Sequence, residues 1–165
     1  MDSVRGQYAA AAQPVAVVGF PRLPGYFSAD VLQTARTVSV TRIPFPPIVE
    51  LGLDEFAGLM ELGLAAVTFD DLIFVHQSLH TERVHFHELV HVLQWRALGV
   101  DRFMLTYGAG VIDHGYAHSP LEAIAYDLQS QFDRGLRIAE LESTVAQHAL
   151  ETAASYAELF RIAGT

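Results

Sequence analysis

Residues 81–99 constrain the fold of this chain more than any other stretch, because they read as one amphipathic helix. Ser78 or Thr81 can cap its start, and Gly99 supplies the left-handed residue that commonly ends a helix. Its apolar flank consists of Phe86, Leu89, Val90, Leu93 and Ala97. The pattern predicts a core-packed helix on which the other elements must fold.

The same helix contains the motif His-Glu-x-x-His, as His87, Glu88 and His91. Because a helix turns about 100° per residue, the two histidines lie one turn apart on the same face and can reach one metal ion. Glu88 is turned about 100° away, which suits contact with a metal-activated water better than coordination. We therefore predict two histidine ligands and Glu88 as the catalytic base. In a chain with eight histidines, histidines that merely cap or pack are the alternative.

Composition narrows the fold and the partners. With 165 residues and 51% hydrophobic content, the chain is predicted to form one domain spanning residues 1–165. Its net charge of −9 argues against nucleic acid and against anionic membrane surfaces as partners. The sequence does not specify an oligomeric state.

The absence of cysteine limits the chemistry of any metal site. With no thiolate available, a metal must be held by imidazole and carboxylate groups. The N-terminal residues make a poor signal peptide, and no stretch approaches the length of a membrane span. We therefore expect a cytoplasmic protein.

Turn residues and β-branched runs divide the N-terminal part into short elements. Glycine and proline recur so often in residues 1–27 that an irregular arm is predicted, with a short strand at Val15–Val18. Ser28 then caps a predicted helix that reaches Ala35, and residues 37–43 alternate in the manner of a strand. Residues 53–62 are predicted to be helical.

The later part is predicted to be a hairpin or a kinked strand followed by helices. Residues 65–75 form two β-prone runs hinged at Asp70 and Asp71, which lead into the motif helix. Residues 100–118 contain three glycines and read as a looser stretch. One helix then runs from 119–120 to about 134, and another from about 138 to 162. The fold class is therefore α+β, with a short antiparallel or mixed sheet packed on the motif helix and a C-terminal helical region.

The motif helix, His-Glu-Leu-Val-His-Val-Leu-Gln, resembles that of small gluzincin-type zinc metallopeptidases, and the resemblance covers residues 66–130. It implies a minimal zincin-like fold, one Zn²⁺ per chain and a ligand glutamate on a following helix, at Glu122. The longer metzincin motif is excluded, because Gln94 and Ala97 stand where it has glycine and a third histidine.

The sequence leaves alternatives open for this third ligand. Ser119-x-x-Glu122 is also a capping box with Pro120 at the favoured first helical position. His118 and His114 are competing ligands. In the gluzincin pattern an aspartate four residues after the ligand glutamate orients a zinc histidine, but this chain has Tyr126 there and Asp127 one place later.

Further residues are candidates to contact the substrate. Hydrolysis of an amide requires a donor for the developing oxyanion, and the candidates are Tyr116, His118, Tyr107 and His114. For each of them packing or exposure to solvent is the alternative. His80 can line the cleft, whereas His85 faces elsewhere on the helix and is expected to pack. Trp95 and Phe103 are expected in the core.

The resemblance implies a zinc-dependent hydrolase, most simply a peptidase. A peptide substrate can pair with the strand that ends near Val75. Hydrolysis of a small amide or ester is an alternative, as is a metal-binding or interaction protein with little turnover. Nothing in the sequence excludes the metal-binding or interaction protein.

Overall fold

The computed structural model describes residues 6–8, 10–44, 64–158 and 161. Within these ranges the chain combines a small mixed sheet with a larger helical part, which confirms the α+β class. The helix predicted at 53–62 lies outside the described residues. None of the helices in the described ranges has the length and apolar character needed to cross a bilayer.

The sheet has the strand order β1-β2-β4-β3, with β2 and β4 parallel and the other two pairs antiparallel. The predicted hairpin is confirmed, since β3 and β4 are joined by a two-residue turn in which Asp70 has a φ of 58°. β4 lies between two neighbours and is almost wholly buried. The strands are β1 (Gln13–Pro14), β2 (Arg36–Val40), β3 (Ala66–Phe69) and β4 (Leu72–His76).

Two short helices lie between β1 and β2. α1 (Val15–Val18) is a single helical turn, so the strand predicted there is wrong. Val15 N–H still donates to Ala35 O (2.9 Å), and the chain then makes one helical turn that ends at Gly19, which has a left-handed φ of 80°. α2 (Ala29–Thr34) is confirmed, and the Ser28 hydroxyl accepts from Val31 N–H as its cap.

The motif helix is the first of two helical segments in α3 (Glu82–His114). The Thr81 hydroxyl caps its start, and Gly99, with the non-helical values φ 71° and ψ 173°, ends it as predicted. The prediction of a looser stretch after Gly99 is wrong, because residues 100–114 are helical. Phe103 stacks on Trp95 with ring centroids 3.8 Å apart, so packing stabilises the second segment despite its glycines.

Two more helices complete the described fold. α4 (Pro120–Asp133) agrees with its prediction, whereas α5 (Leu141–Ser155) begins later than predicted, and residues 157, 158 and 161 are again helical after a turn at Tyr156. Its start is delayed because Glu140 has a φ of 51°, which a helix does not accommodate. Single turns of 3₁₀ helix lie at Leu23–Gly25, Gln77–Leu79 and Tyr116–His118.

The first segment of α3 is the centre of the core. Every residue from 85 to 95 is buried, because the segment packs against β3 and β4 and against α4 and α5. It is therefore enclosed on all sides rather than along one flank. Burial of polar groups is costly unless each is paired. The polar residues enclosed there are His85, His87, Glu88, His91 and Gln94.

Candidate metal centre

Three side chains from two helices meet in this core. His87 and His91 lie one turn apart on α3, and Glu122 lies in the first turn of α4. The two histidine Nε2 atoms are 3.1 Å apart, and carboxylate oxygens of Glu122 lie 3.3 Å from His87 Nε2 and 3.4 Å from His91 Nε2. The structure thus assembles a buried group that could hold a metal ion.

The spacing of these atoms fits a divalent metal. Tetrahedral zinc ligands at about 2.0–2.1 Å from the ion stand about 3.4 Å from one another, close to the separations in this triad. Glu122 is 2% exposed, and its Oε2 has no hydrogen-bond donor in the described part of the chain. A buried carboxylate oxygen needs a partner, which a cation would supply.

The capping-box alternative for Glu122 does not describe this helix start. The Ser119 side chain caps no N–H group of α4, and Ser119 N–H donates to Tyr116 O rather than to Glu122. Pro120 does occupy the first helical position. The Glu122 carboxylate is instead directed at the two histidines, so helix capping does not account for its placement.

Charge and burial oppose each other in the triad. Burial alone would lower the pKa of His91, but the Glu122 carboxylate beside it raises that pKa to about 9. Burial would likewise raise the pKa of Glu122, but the two imidazoles lower it well below its usual value. The metal-free site therefore holds a proton that a metal ion would have to displace.

A buried glutamine contacts His91 from the same helix. Gln94 Oε1 lies 2.8 Å from His91 Nδ1, and Gln94 Nε2 donates to Leu121 O at 2.8 Å. Asp127 does not take this role, because it is exposed and accepts from Gln131 on its own helix. The sequence did contain a signal for Gln94, since residues three apart are neighbours on a helix face.

His87 has a different neighbour on its Nδ1 side. The Gln129 amide lies between His87 Nδ1 and the Arg83 guanidinium, at 3.2 Å and 2.7 Å, with its oxygen towards the arginine. The Tyr126 ring packs on the His87 ring with centroids 4.7 Å apart. Sequence reasoning did not identify Gln129, which lies 42 positions after His87 and follows no known motif spacing.

Glu88 lies beside the triad but is not part of it. Thr68 of β3 donates a hydrogen bond to Glu88 Oε2 at 2.7 Å. Glu88 is 6% exposed, as are His87 and His91, and its charge is among the causes that raise the pKa of His91. The structure thus holds a separate carboxylate, bonded to Thr68, near the three candidate ligands. No local pattern in the sequence indicated Thr68.

The two candidate tyrosines lie near Glu122. The Tyr107 hydroxyl, from the second segment of α3, donates to Glu122 Oε1 at 2.7 Å. Tyr116 is half-buried and hydrogen-bonds Tyr126. Burial and the nearby Glu122 charge raise the pKa values of Tyr107 and Tyr116, so both hydroxyls stay protonated at neutral pH.

The remaining histidine candidates are not brought to the triad. His114 and His118 are exposed, and neither belongs to the metal-binding group found in the described ranges. His80 packs against His85 and against Phe20, with centroids 4.5 and 5.9 Å apart. His85 is buried and packs, as predicted.

Comparison with known proteins does not assign this chain to a family. Neither a protein-family model, nor a curated protein, nor a solved structure matches this chain. A metal site is therefore indicated by the buried group of His87, His91 and Glu122, which has the ligand types and spacing of such a site.

Proposed function

We propose that this chain is a zinc-dependent hydrolase of the gluzincin type and that its substrates are peptides. One observation carries the proposal: a buried His87, His91 and Glu122 triad lies beside a separate carboxylate, Glu88, that Thr68 holds in place. Three protein ligands are typical of catalytic zinc, whereas structural zinc usually has four.

Bound zinc would act as a Lewis acid and lower the pKa of a water molecule to about 7. Glu88 is placed to serve as the general base. Its carboxylate would take a proton from the attacking water and return it to the leaving amine. The hydrogen bond from Thr68 leaves Glu88 Oε1 as the oxygen for this exchange.

An extended substrate would pair with β3 rather than with β4. β4 lies between β2 and β3, so the strand ending near Val75 has no free edge. Among the described strands, β3 lies at the edge of the sheet. Because Thr68 belongs to β3 and bonds to Glu88, a peptide added along this edge would pass close to the base.

The burial of the site favours a second candidate function. His87, Glu88 and His91 are each only 6% exposed, which restricts access for a large substrate. A metal-binding protein with little turnover, or a hydrolase of a small amide or ester, fits that enclosure. Turnover separates these functions.

The test is hydrolysis of a mixed peptide library by the zinc-loaded protein and by Glu88→Gln. Glutamine keeps the size of the side chain but cannot accept the proton, so kcat should fall by at least about 100-fold while zinc content is unchanged. Glu151→Gln, on the exposed side of α5, is the matched control and should hydrolyse normally. Equal rates for Glu88→Gln and wild type would refute the assigned base, and a wild type without turnover on peptides, amides and esters would favour the binding function.

A further inference from the structure

We propose that Gln94 is a positioning residue, which fixes the proton of His91 and ties the two ligand-bearing helices together. The proposal rests on the metal site described above but not on catalysis. It concerns how the chain prepares His91 for a metal before the metal arrives.

The hydrogen bonds of Gln94 determine which way its amide points. The carbonyl of Leu121 can only accept, so the atom that faces it must be the amide nitrogen. The amide oxygen therefore faces His91 Nδ1 at 2.8 Å, and that nitrogen must bear the proton of the hydrogen bond. His91 Nε2 is then the nitrogen that offers its lone pair to a metal.

The same amide connects the two helices at the point where the ligands meet. Leu121 immediately precedes Glu122, so the bond from Gln94 holds the backbone of α4 next to the third ligand. Gln94 is fully buried, and its neighbours at 92, 93 and 95 on the helix are apolar. A buried amide is tolerated there because both of its ends are satisfied.

The first test compares zinc affinity in Gln94→Met and Gln94→Glu by competition with a chelator. Methionine keeps the volume but removes both hydrogen bonds, so affinity should fall about 10- to 100-fold. Glutamate keeps an acceptor for His91 but sets an oxygen, in place of the amide donor, against the Leu121 carbonyl. Because the bond to His91 is retained, its loss of affinity should be smaller than that of methionine. Gln131→Met, on α4, removes a side-chain amide that donates to the exposed Asp127; it is the matched control and should bind zinc like wild type.

The outcomes divide cleanly. Wild-type affinity in Gln94→Met would overturn the proposal, and equal losses in the methionine and glutamate variants would overturn the role assigned to the acceptor. A wild type that binds no zinc would overturn both this proposal and the metal site. Absence of hydrolysis would refute the proposed function and leave the role of Gln94 standing.

The second test does not depend on the folding of any variant. In the zinc-loaded wild type, nitrogen NMR of the histidine rings should show His91 coordinated through Nε2 and a slowly exchanging proton on Nδ1. A merely structural glutamine would not determine this tautomer. Coordination of zinc through His91 Nδ1 would overturn the proposal.

Discussion

His85 and His91 lie on the same helix and are both buried, yet their pKa values move in opposite directions. Burial lowers the pKa of His85 to about 4, whereas the Glu122 carboxylate raises that of His91 to about 9. Both ring nitrogens of His85 are used within the protein, one with Thr37 Oγ1 at 3.0 Å and one with Thr81 O at 2.8 Å. Burial alone therefore does not make a histidine a candidate metal ligand. His91 is one because its Nε2 faces the Glu122 carboxylate.

The largest expected difference is in metal content. His87→Ala or His91→Ala should remove the zinc that wild type binds, because only two of three ligands remain. His85→Gln should retain it, since His85 lies outside the triad. Elemental analysis of the purified variants measures this directly. Full zinc content in the His87 and His91 double variant would place the site elsewhere.

Removing the Glu122 carboxylate should shift the pKa of His91 downward, in the direction of the shift seen at His85. In Glu122→Gln the pKa of His91 should fall from about 9, because the largest influence that opposes burial is removed and only Glu88 and Gln94 still raise the pKa. Zinc affinity should fall by more than the roughly 100-fold typical of a lost orienting partner. NMR titration of the metal-free protein and chelator competition measure the two effects. An unchanged zinc affinity would mean that Glu122 is not a ligand.

His85 should make the metal-free protein less stable in acid. The folded state keeps His85 neutral down to about pH 4, whereas the unfolded state takes up the proton near pH 6.5. The unfolded state therefore binds more protons in that window, and the free energy of unfolding falls as pH drops from 6.5 to about 4. The loss is about 3 kcal/mol.

Denaturant unfolding over this pH range measures that loss, and His85→Gln supplies the control. Glutamine does not titrate, so the difference in pH dependence between variant and wild type isolates His85 from Glu122 and His91. Parallel pH profiles for the two proteins would show that His85 is not the source of the acid sensitivity.

The smallest expected effect is a difference in hydrolytic rate between variants of two buried threonines, Thr68 and Thr37. Thr68→Val removes a hydrogen bond to the Glu88 carboxylate, so any hydrolytic rate should fall about tenfold while zinc content is unchanged. Thr37→Val removes the corresponding bond to His85 and should leave the rate alone. Steady-state kinetics on the zinc-loaded variants decide between them. Equal rates in both variants would show that Thr68 does not position the base.

Local sequence signals predicted much of the fold. The Ser28 cap, the hairpin at Asp70 and the start of α4 at Pro120 all depend on residues within a few positions of one another. The prediction failed where distant contacts decide. Residues 100–114 are helical with Phe103 packed on Trp95, and Val15–Val18 forms a helical turn beside the sheet.

The candidate site shows the same division. The spacing of His87 and His91 follows from helix geometry, and Glu122 was one of several possible third ligands. Whether Glu122 is a metal ligand or part of a capping box depends on where α4 lies relative to α3. The local capping pattern carries no information on that position. Gln129 and Thr68 reach the site from other elements, so only the folded chain reveals them.

The second segment of α3 begins and ends at a glycine in an unusual backbone conformation. Gly99 (φ 71°, ψ 173°) and Gly115 (φ 75°, ψ 163°) both occupy a region of backbone space that is essentially restricted to glycine. A methyl group at either position would meet no atom within 4 Å, so an alanine there would suffer torsional strain and not crowding. The segment between these two glycines is helical and carries Tyr107. The direction in which the Tyr107 hydroxyl reaches Glu122 thus depends on the backbone at two glycines that have no side chain to offer a metal ion.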